Sequence, residues 1–426
     1  MASEHSAAAG SGQPSALVRF VQFVPLGAVA VVLLDSATDF FPDDPLAGIL
    51  TPTRLALLLG VIALVVPVRG RPRARLRDFR TRLDLPIGLL VAVSAATTYR
   101  GGHPTAPLRG LLTVIACHYL VVAVRRTRPE SWRAIGLLAL TGVAAAATSA
   151  FSQVTNETPT GFCRTGLLTD VACDAAGDGV LIRATGTFAN PNPLAAFLVV
   201  IGYGALLTTF SRAGYVAGAA GLLVLGGAYW LAPTIADRAQ RRLFAVLGTL
   251  ALLGAAGAIW AVSRAGNSLG VRGQAWEAAL RLAADTPLGV GLGRSGTAIS
   301  AAAPGGRTFV HAHNLWLNWL VEAGPLGLLA ITAVAAIAVY CAARAARAKS
   351  VIGTVGLAAL TGFFLMSMMD HPANLDRIDA LLWCTLAVIT AETPATWRTR
   401  PGTTPTLVPT QPKRPRHGPQ RVGAAG

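Results

Sequence analysis

The feature that most constrains this chain is a series of apolar runs, near 17–34, 53–68, 85–99, 107–124, 131–150, 193–210, 214–232, 243–263, 314–342, 352–370 and 377–391. A helix rises about 1.5 Å per residue and the hydrocarbon core of a bilayer is about 30 Å thick, so most of these runs are long enough to cross it. The chain is also 53% hydrophobic and only 13% charged, a balance rare in soluble globular domains. The expectation is an all-α polytopic membrane protein of about 10–11 transmembrane helices.

The charges carry the topology. The formal net charge of +16 sits largely in short loops: "RGRPRARLRDFRTR" (69–82), "RRTRPESWR" (125–133), "DRAQRR" (237–242) and "RAARAK" (344–349). That pattern fits cytoplasmic loops beside anionic lipid, so the expected partner of these charges is the lipid bilayer and not nucleic acid. The purely acidic "DSATDFFPDDP" (35–45) belongs outside. Residues 1–16 have no basic n-region, so the first run is expected to be retained as a span behind a disordered N-terminus. Residues 393–426, rich in Pro, Thr and Arg, read as a disordered basic cytoplasmic tail. The transmembrane domain is then 17–392, with both termini cytoplasmic and two outer loops, 151–192 and 264–313. Cys163 and Cys173 lie ten residues apart in the first of these, which makes a local disulfide the expected pairing; Cys117, Cys341 and Cys384 fall inside spans. No metal site is expected.

Placing both 151–192 and 264–313 outside leaves three apolar runs between them, one too many. The short link 208–215 suggests the remedy: 193–210 dips in and returns, or lies shallowly, before 214–232 crosses.

The polar groups of interest gather on the outer side. "ANPNP" (189–193) reads as a turn feeding a helix, with Asn to cap and Pro at the start. "GVGLG" (289–293) lacks the spacing and the preceding strand of a nucleotide loop. "SLGVRGQAWEAALRLAAD" (268–285) places Trp276, Ala279, Leu280 and Ala283 at helical spacing, an amphipathic helix for the outer interface, with Arg272 at its start. Arg212 interrupts almost forty uncharged residues, and an arginine at membrane depth costs roughly 2.5–3.5 kcal/mol, so it calls for a partner or a function. "HAHNLWLNWLVEAGPLGLL" (311–329) sets His311, His313 and Asn314 at a helix start. Glu322 lies about two and a half turns further on, too far to meet His313 in one straight helix.

In order, "GTFANPN" (186–192), "SRAG" (211–214), "VRGQAWEAAL…DTPLGVGLG" (271–293) and "HAHNLWLNWLVEAGPLGLL" (311–329) resemble the motifs of the bacterial O-antigen ligase and polymerase family. The resemblance implies a GT-C type membrane glycosyltransferase, independent of metal and of any cofactor. Such enzymes move a glycan from a polyprenyl diphosphate donor to a hydroxyl of a glycolipid or glycan acceptor, at the outer face of the cytoplasmic membrane. It assigns the donor diphosphate to Arg212 and Arg272 and the acceptor to His313. Asn190, Asn192, His311, Asn314 and Glu322 are the accompanying substrate-binding candidates. Guanidinium suits a diphosphate and a near-neutral histidine suits a hydroxyl proton, so inverting transfer with His313 as base is expected. The sequence departs from the family between Asn192 and Ser211, where room for a pair of spans is usual. A transporter or a non-catalytic scaffold for envelope assembly are the rival readings; a transporter would show internal repeats or charges at mid-membrane.

Overall fold

The computed structural model describes residues 16–38, 50–66, 74–128, 132–158, 160–165, 169–171, 173, 180–188, 190–201, 211–231, 270–348 and 350–393. Met1–Ala395 forms one compact unit; the other, Thr396–Gly426, lies outside the described residues. The run 243–263, the loop 237–242 and most of the basic tail also lie outside them.

The architecture is all-α. In chain order the helices are α1 (Ala16–Thr38), α2 (Pro52–Val65), the single turn α3 (Leu76–Phe79), α4 (Asp84–Arg100), α5 (Ala106–Thr127), α6 (Trp132–Thr155), α7 (Pro191–Ile201) and α8 (Arg212–Leu231). Then come α9 (Gly270–Asp285), α10 (Ser295–Ala302), α11 (Leu315–Arg347), α12 (Val351–Met366) and α13 (Asp376–Ala391). Among the described residues, Ala106–Thr127, Arg133–Thr155 and Leu315–Arg347 are long and apolar enough to cross a membrane, and four shorter helices are also apolar. The chain is thus a polytopic membrane protein.

One main core, built from Leu, Val and Ala of α1, α2, α4, α5, α7 and α11–α13, holds the bundle together. A second, small core joins Ala275, Ala278 and Ala279 of α9 to Ile299 of α10 and to Phe309, Ala312 and Val321. The amphipathic helix expected at 268–285 is therefore present, but its buried stripe is 275, 278 and 279. Leu280, on the face that the spacing assigns to the outer interface, is 55% exposed.

The polar loop after α6 holds the strands found among the described residues. Strands β1 (Cys163–Thr165), β2 (Thr169–Val171) and β3 (Val180–Ile182) form an antiparallel sheet in the order β2-β1-β3. A disulfide joins Cys163 to Cys173 beside it.

Two local devices position the segments that carry the polar residues. Gly186, in the left-handed region at φ +59°, is held by Gln153 of α6, whose Oε1 accepts from the amides of Thr185 and Gly186 at 2.9 and 2.8 Å. Helix α11 breaks at Gly324 (φ +67°, ψ −169°) before Pro325. Pro325 has no N–H, so the carbonyl of Val321 loses its helical partner. The loop 289–293 replaces it: the amides of Val290 and Gly291 donate to the oxygens of Val321 and Glu322 at 2.8 and 3.0 Å. "GVGLG" is thus the seam that closes a helix break. Gly289 (φ +83°) and Gly324 must be glycine here, since a Cβ on either would strike the other's backbone segment.

Candidate active site

Four chain segments converge on Asp370, which lies in the loop between α12 and α13 with a side chain only 8% exposed. Asn192, in the first turn of α7, donates from Nδ2 to its Oδ2 at 2.5 Å. The amide of His371 donates to Oδ1 at 2.8 Å. His313 Nδ1 and His311 Nε2 stand 3.5 and 3.9 Å from Oδ1, and the Arg272 guanidinium stands 3.9 Å from Oδ2. The His313 distance is at the outer limit of a hydrogen bond, and that buried nitrogen has no closer partner. A buried carboxylate surrounded by three potential cations is tolerable because each offsets part of its desolvation.

The backbone is bent to make this cluster. His313 sits in the left-handed region at φ +49°, which costs a non-glycine residue about 1–2 kcal/mol. It is held there from both sides: its amide donates to His311 Nδ1 at 3.0 Å, and its carbonyl accepts from Trp276 Nε1 at 3.3 Å. Asn314 then caps α11, its Oδ1 accepting from the amides of Trp316 and Leu317. Its Nδ2 donates to the carbonyl of Met368, tying the α11 start to the loop that carries Asp370.

Charge and burial work against each other in the cluster. Burial alone would raise the Asp370 carboxyl, but His313 beside it and the charges of His311 and Arg272 outweigh that and hold it well below the usual carboxylate range. His311 is pushed down to about 4, by burial first and then by His313 and Arg272, against the pull of Asp370. His371, its ring edge-on to His311, is pushed down to about 3, again by burial first.

His311, His313 and Asp370 are metal-ligand residue types, with ligand atoms within 4.8 Å of one another. The donor set fits an ion poorly. A metal-bound histidine donates through its second nitrogen, whereas the second nitrogen of His311 accepts from the His313 amide. In the neutral ring the proton then sits on Nε2, facing Asp370, and Arg272 already brings positive charge to the same carboxylate.

The structure divides the sequence candidates into those at the cluster and those away from it. His311, His313, Arg272 and Asn192 meet around Asp370. Asn190 is one step removed: its Oδ1 accepts from the Asn192 amide at 2.9 Å, capping α7. Asn314 is engaged as the cap of α11. Arg212 opens α8, and its side chain lies outside the described residues; its neighbour Ser211 donates to Asn192 Oδ1 at 3.0 Å. Glu322 lies elsewhere. It is buried within α11, and its Oε1 accepts from the hydroxyl and amide of Ser295, at 2.7 and 3.3 Å, at the start of α10. Asp370 and His371 escape a reading of the sequence because the apolar run 352–370 looks like one span, while α12 ends at Met366. The signal is there in "MMDHPANLD" (368–376), an acid and a histidine followed by a proline at the end of an apolar run.

The Ser211–Asn192 bond also bears on the short link. It brings the first turns of α7 and α8 together; residues 202–210 of the run 193–210 lie outside the described residues.

No curated protein matches the chain. A model of the O-Antigen ligase family matches residues 196–332, which include Arg212, Arg272, His311, His313, Asn314 and Glu322 but not Asn190, Asn192 or Asp370. Over that segment the chain is similar to the O-antigen ligase family, which bears out the resemblance carried by the motifs from Ser211 onward and supports, in general terms, a ligase- or polymerase-like function.

Proposed function

We propose that the chain is a glycosyltransferase that moves a glycan from a polyprenyl diphosphate carrier to an acceptor hydroxyl, with inversion and without a metal. The observation that carries this reading is the grouping of His313, Arg272 and Asn192 about the buried carboxylate of Asp370. Its polar face lies at the start of α11, and the positive-inside reading of the loops puts that end outside the cytoplasmic membrane.

In this reading Asp370 faces Nδ1 of His313, fixing the ring and favouring the proton on that nitrogen. Nε2 is left with its lone pair to take the acceptor hydroxyl proton as the oxygen attacks the sugar carbon. Asp370 offsets the charge that the imidazolium gains, as a carboxylate does behind a catalytic histidine. The bond to the carrier breaks as the new glycosidic bond forms, leaving negative charge on the departing diphosphate. Arg272, 35% exposed, is the guanidinium available to it, and Arg212 is the second. His311 holds the left-handed turn through its Nδ1 and so acts on the position of His313.

Proteoliposomes charged with a polyprenyl diphosphate glycan and an acceptor test this. Loss of transfer in His313→Ala and in Arg272→Ala, with both variants folded, is the expected result. A ladder of products identifies a polymerase and a single addition a ligase. Transfer by His313→Ala at the wild-type rate overturns the assignment of the base.

A further inference from the structure

Away from Asp370, a cleft of about 330 Å³ opens between the C-terminal end of α4 and the break in α11. Val93, Ala96, Thr97, Ala323 and Leu326 line it, together with Leu288, just before the 289–293 seam. Leu288 and Leu326 are 55% and 53% exposed, so the apolar side of the cleft is open to the surroundings of the bundle. In a membrane protein those surroundings are lipid chains.

One end of the cleft is different. Arg100 and His103 line it, and none of the lining residues carries a carboxylate. Arg100 closes α4, is exposed, and has no hydrogen bond or ion pair to any described residue. Arg294 adjoins this lining through His103, donating to its Nδ1 at 3.1 Å. The His103 ring is wedged against Gly101 and Gly291, where any Cβ would collide with it, so this basic end is built and not a chance meeting of long side chains. Tyr99, 69% exposed beside Arg100, is the residue type of the bilayer interface. A basic pocket between spans at headgroup level is the setting that selects anionic lipid.

We propose that this cleft binds an anionic phospholipid, its phosphate held between Arg100 and Arg294 and its acyl chain running along Ala96, Ala323 and Leu326. The two guanidiniums supply donors matched to phosphate oxygens, and His103 sets the direction of Arg294. The site does not depend on the glycan-transfer reading.

The test uses the full chain in nanodiscs of phosphatidylcholine with and without phosphatidylglycerol, reading retained lipid by native mass spectrometry and Tm in parallel. Each basic side chain at the surface contributes about a fivefold preference for anionic lipid, so wild type should prefer phosphatidylglycerol over phosphatidylcholine about twenty-fivefold more strongly than a variant lacking both arginines. Arg100→Ala with Arg294→Ala should lose that advantage, and Arg281→Ala, an arginine of α9 already paired with Glu277, should keep it. Should the double variant not fold, Arg100→Gln alone should lower the preference about fivefold. Equal preference in wild type and the arginine variants overturns the proposal. So does stabilisation by inorganic phosphate alone that matches that of the lipid, which would make this a free-phosphate site.

Discussion

Asn192 and Asp370, 178 positions apart, are joined by a 2.5 Å hydrogen bond from Nδ2 to Oδ2, and Asn192 in turn accepts from Ser211. The carboxylate that faces His313 is thus anchored to the first turns of α7 and α8. Replacing Asp370 by Asn keeps its size but removes the charge behind the imidazole. Glycan transfer should then fall about a hundredfold or more, the contribution expected of a positioned proton acceptor, with a smaller loss in Asn192→Ala. Transfer rates in proteoliposomes check this. Non-additive losses in the double variant would place both residues in one unit.

Acid should loosen the site in a definite window. The unfolded chain protonates His311 and His371 near pH 6.5, whereas the folded chain holds them neutral down to about 4 and about 3. The unfolded state therefore binds more protons over that interval, and stability falls as pH drops from about 6.5 to about 3. Asp370, its folded value depressed, stabilises above the ordinary carboxylate range and is lost only below it. Melting curves across this range should show the decline, and His311→Gln should roughly halve its slope between about pH 6.5 and 4, leaving the contribution of His371. The groups facing His311 are Asp370, His313, His371 and Arg272, so a variant at any of them should move the window.

Glu322 should behave as a structural residue. Ser295→Ala removes the hydroxyl that it binds and leaves a buried acceptor short of a donor, which costs about 1–3 kcal/mol. The expected result for Ser295→Ala is a lower Tm in detergent with the transfer rate per folded molecule unchanged. A specific loss of acceptor affinity would instead return Glu322 to the substrate-binding set.

Gly324→Ala should be costly for two separate reasons. Its φ of +67° lies in the region that costs an L-residue about 1–2 kcal/mol, and an added Cβ would stand 2.5 Å from the Pro287 carbonyl oxygen. Thermal inactivation of the variant should be faster by well over tenfold. Gly327→Ala also brings a Cβ against the Ala323 methyl but carries no positive-φ cost, so the difference between the two variants reports the strain at Gly324.

Reducing the Cys163–Cys173 bridge should affect only its own loop. It closes about ten residues, and such a closure is worth about 2–3 kcal/mol to the ordered state. Protease nicking after Cys163→Ser with Cys173→Ser, scored by mass spectrometry, should map between β1 and β3 while transfer persists.

Much of this fold is legible in the chain, because apolar length is a local property. The runs near 17–34, 107–124 and 314–342 correspond to α1, α5 and α11, and His311, His313 and Arg272 stand out as polar groups beside apolar helices. What is hidden depends on distance in sequence. Asp370 reads as the end of a span until Asn192 and His313 are brought to it. The partners of Val321 and Glu322 come from residues 290 and 291, so the break at Gly324 is visible in the letters but its repair is not. The buried face of α9 turns on alanines, whose small size gives the periodicity little contrast, and strands of three residues are too short to show alternation.

The repaired break has a mechanical consequence. With its carbonyls stitched to the loop that comes after α9, the start of α11 is coupled to the element carrying Arg272, while the stretch beyond Pro325 reaches into the bilayer. A tilt of that deeper stretch would work as a lever on the seam, shifting Arg272 against His313. The thickness of the surrounding bilayer would then set the gap between Arg272 and His313, the place of the donor diphosphate in the proposed reaction.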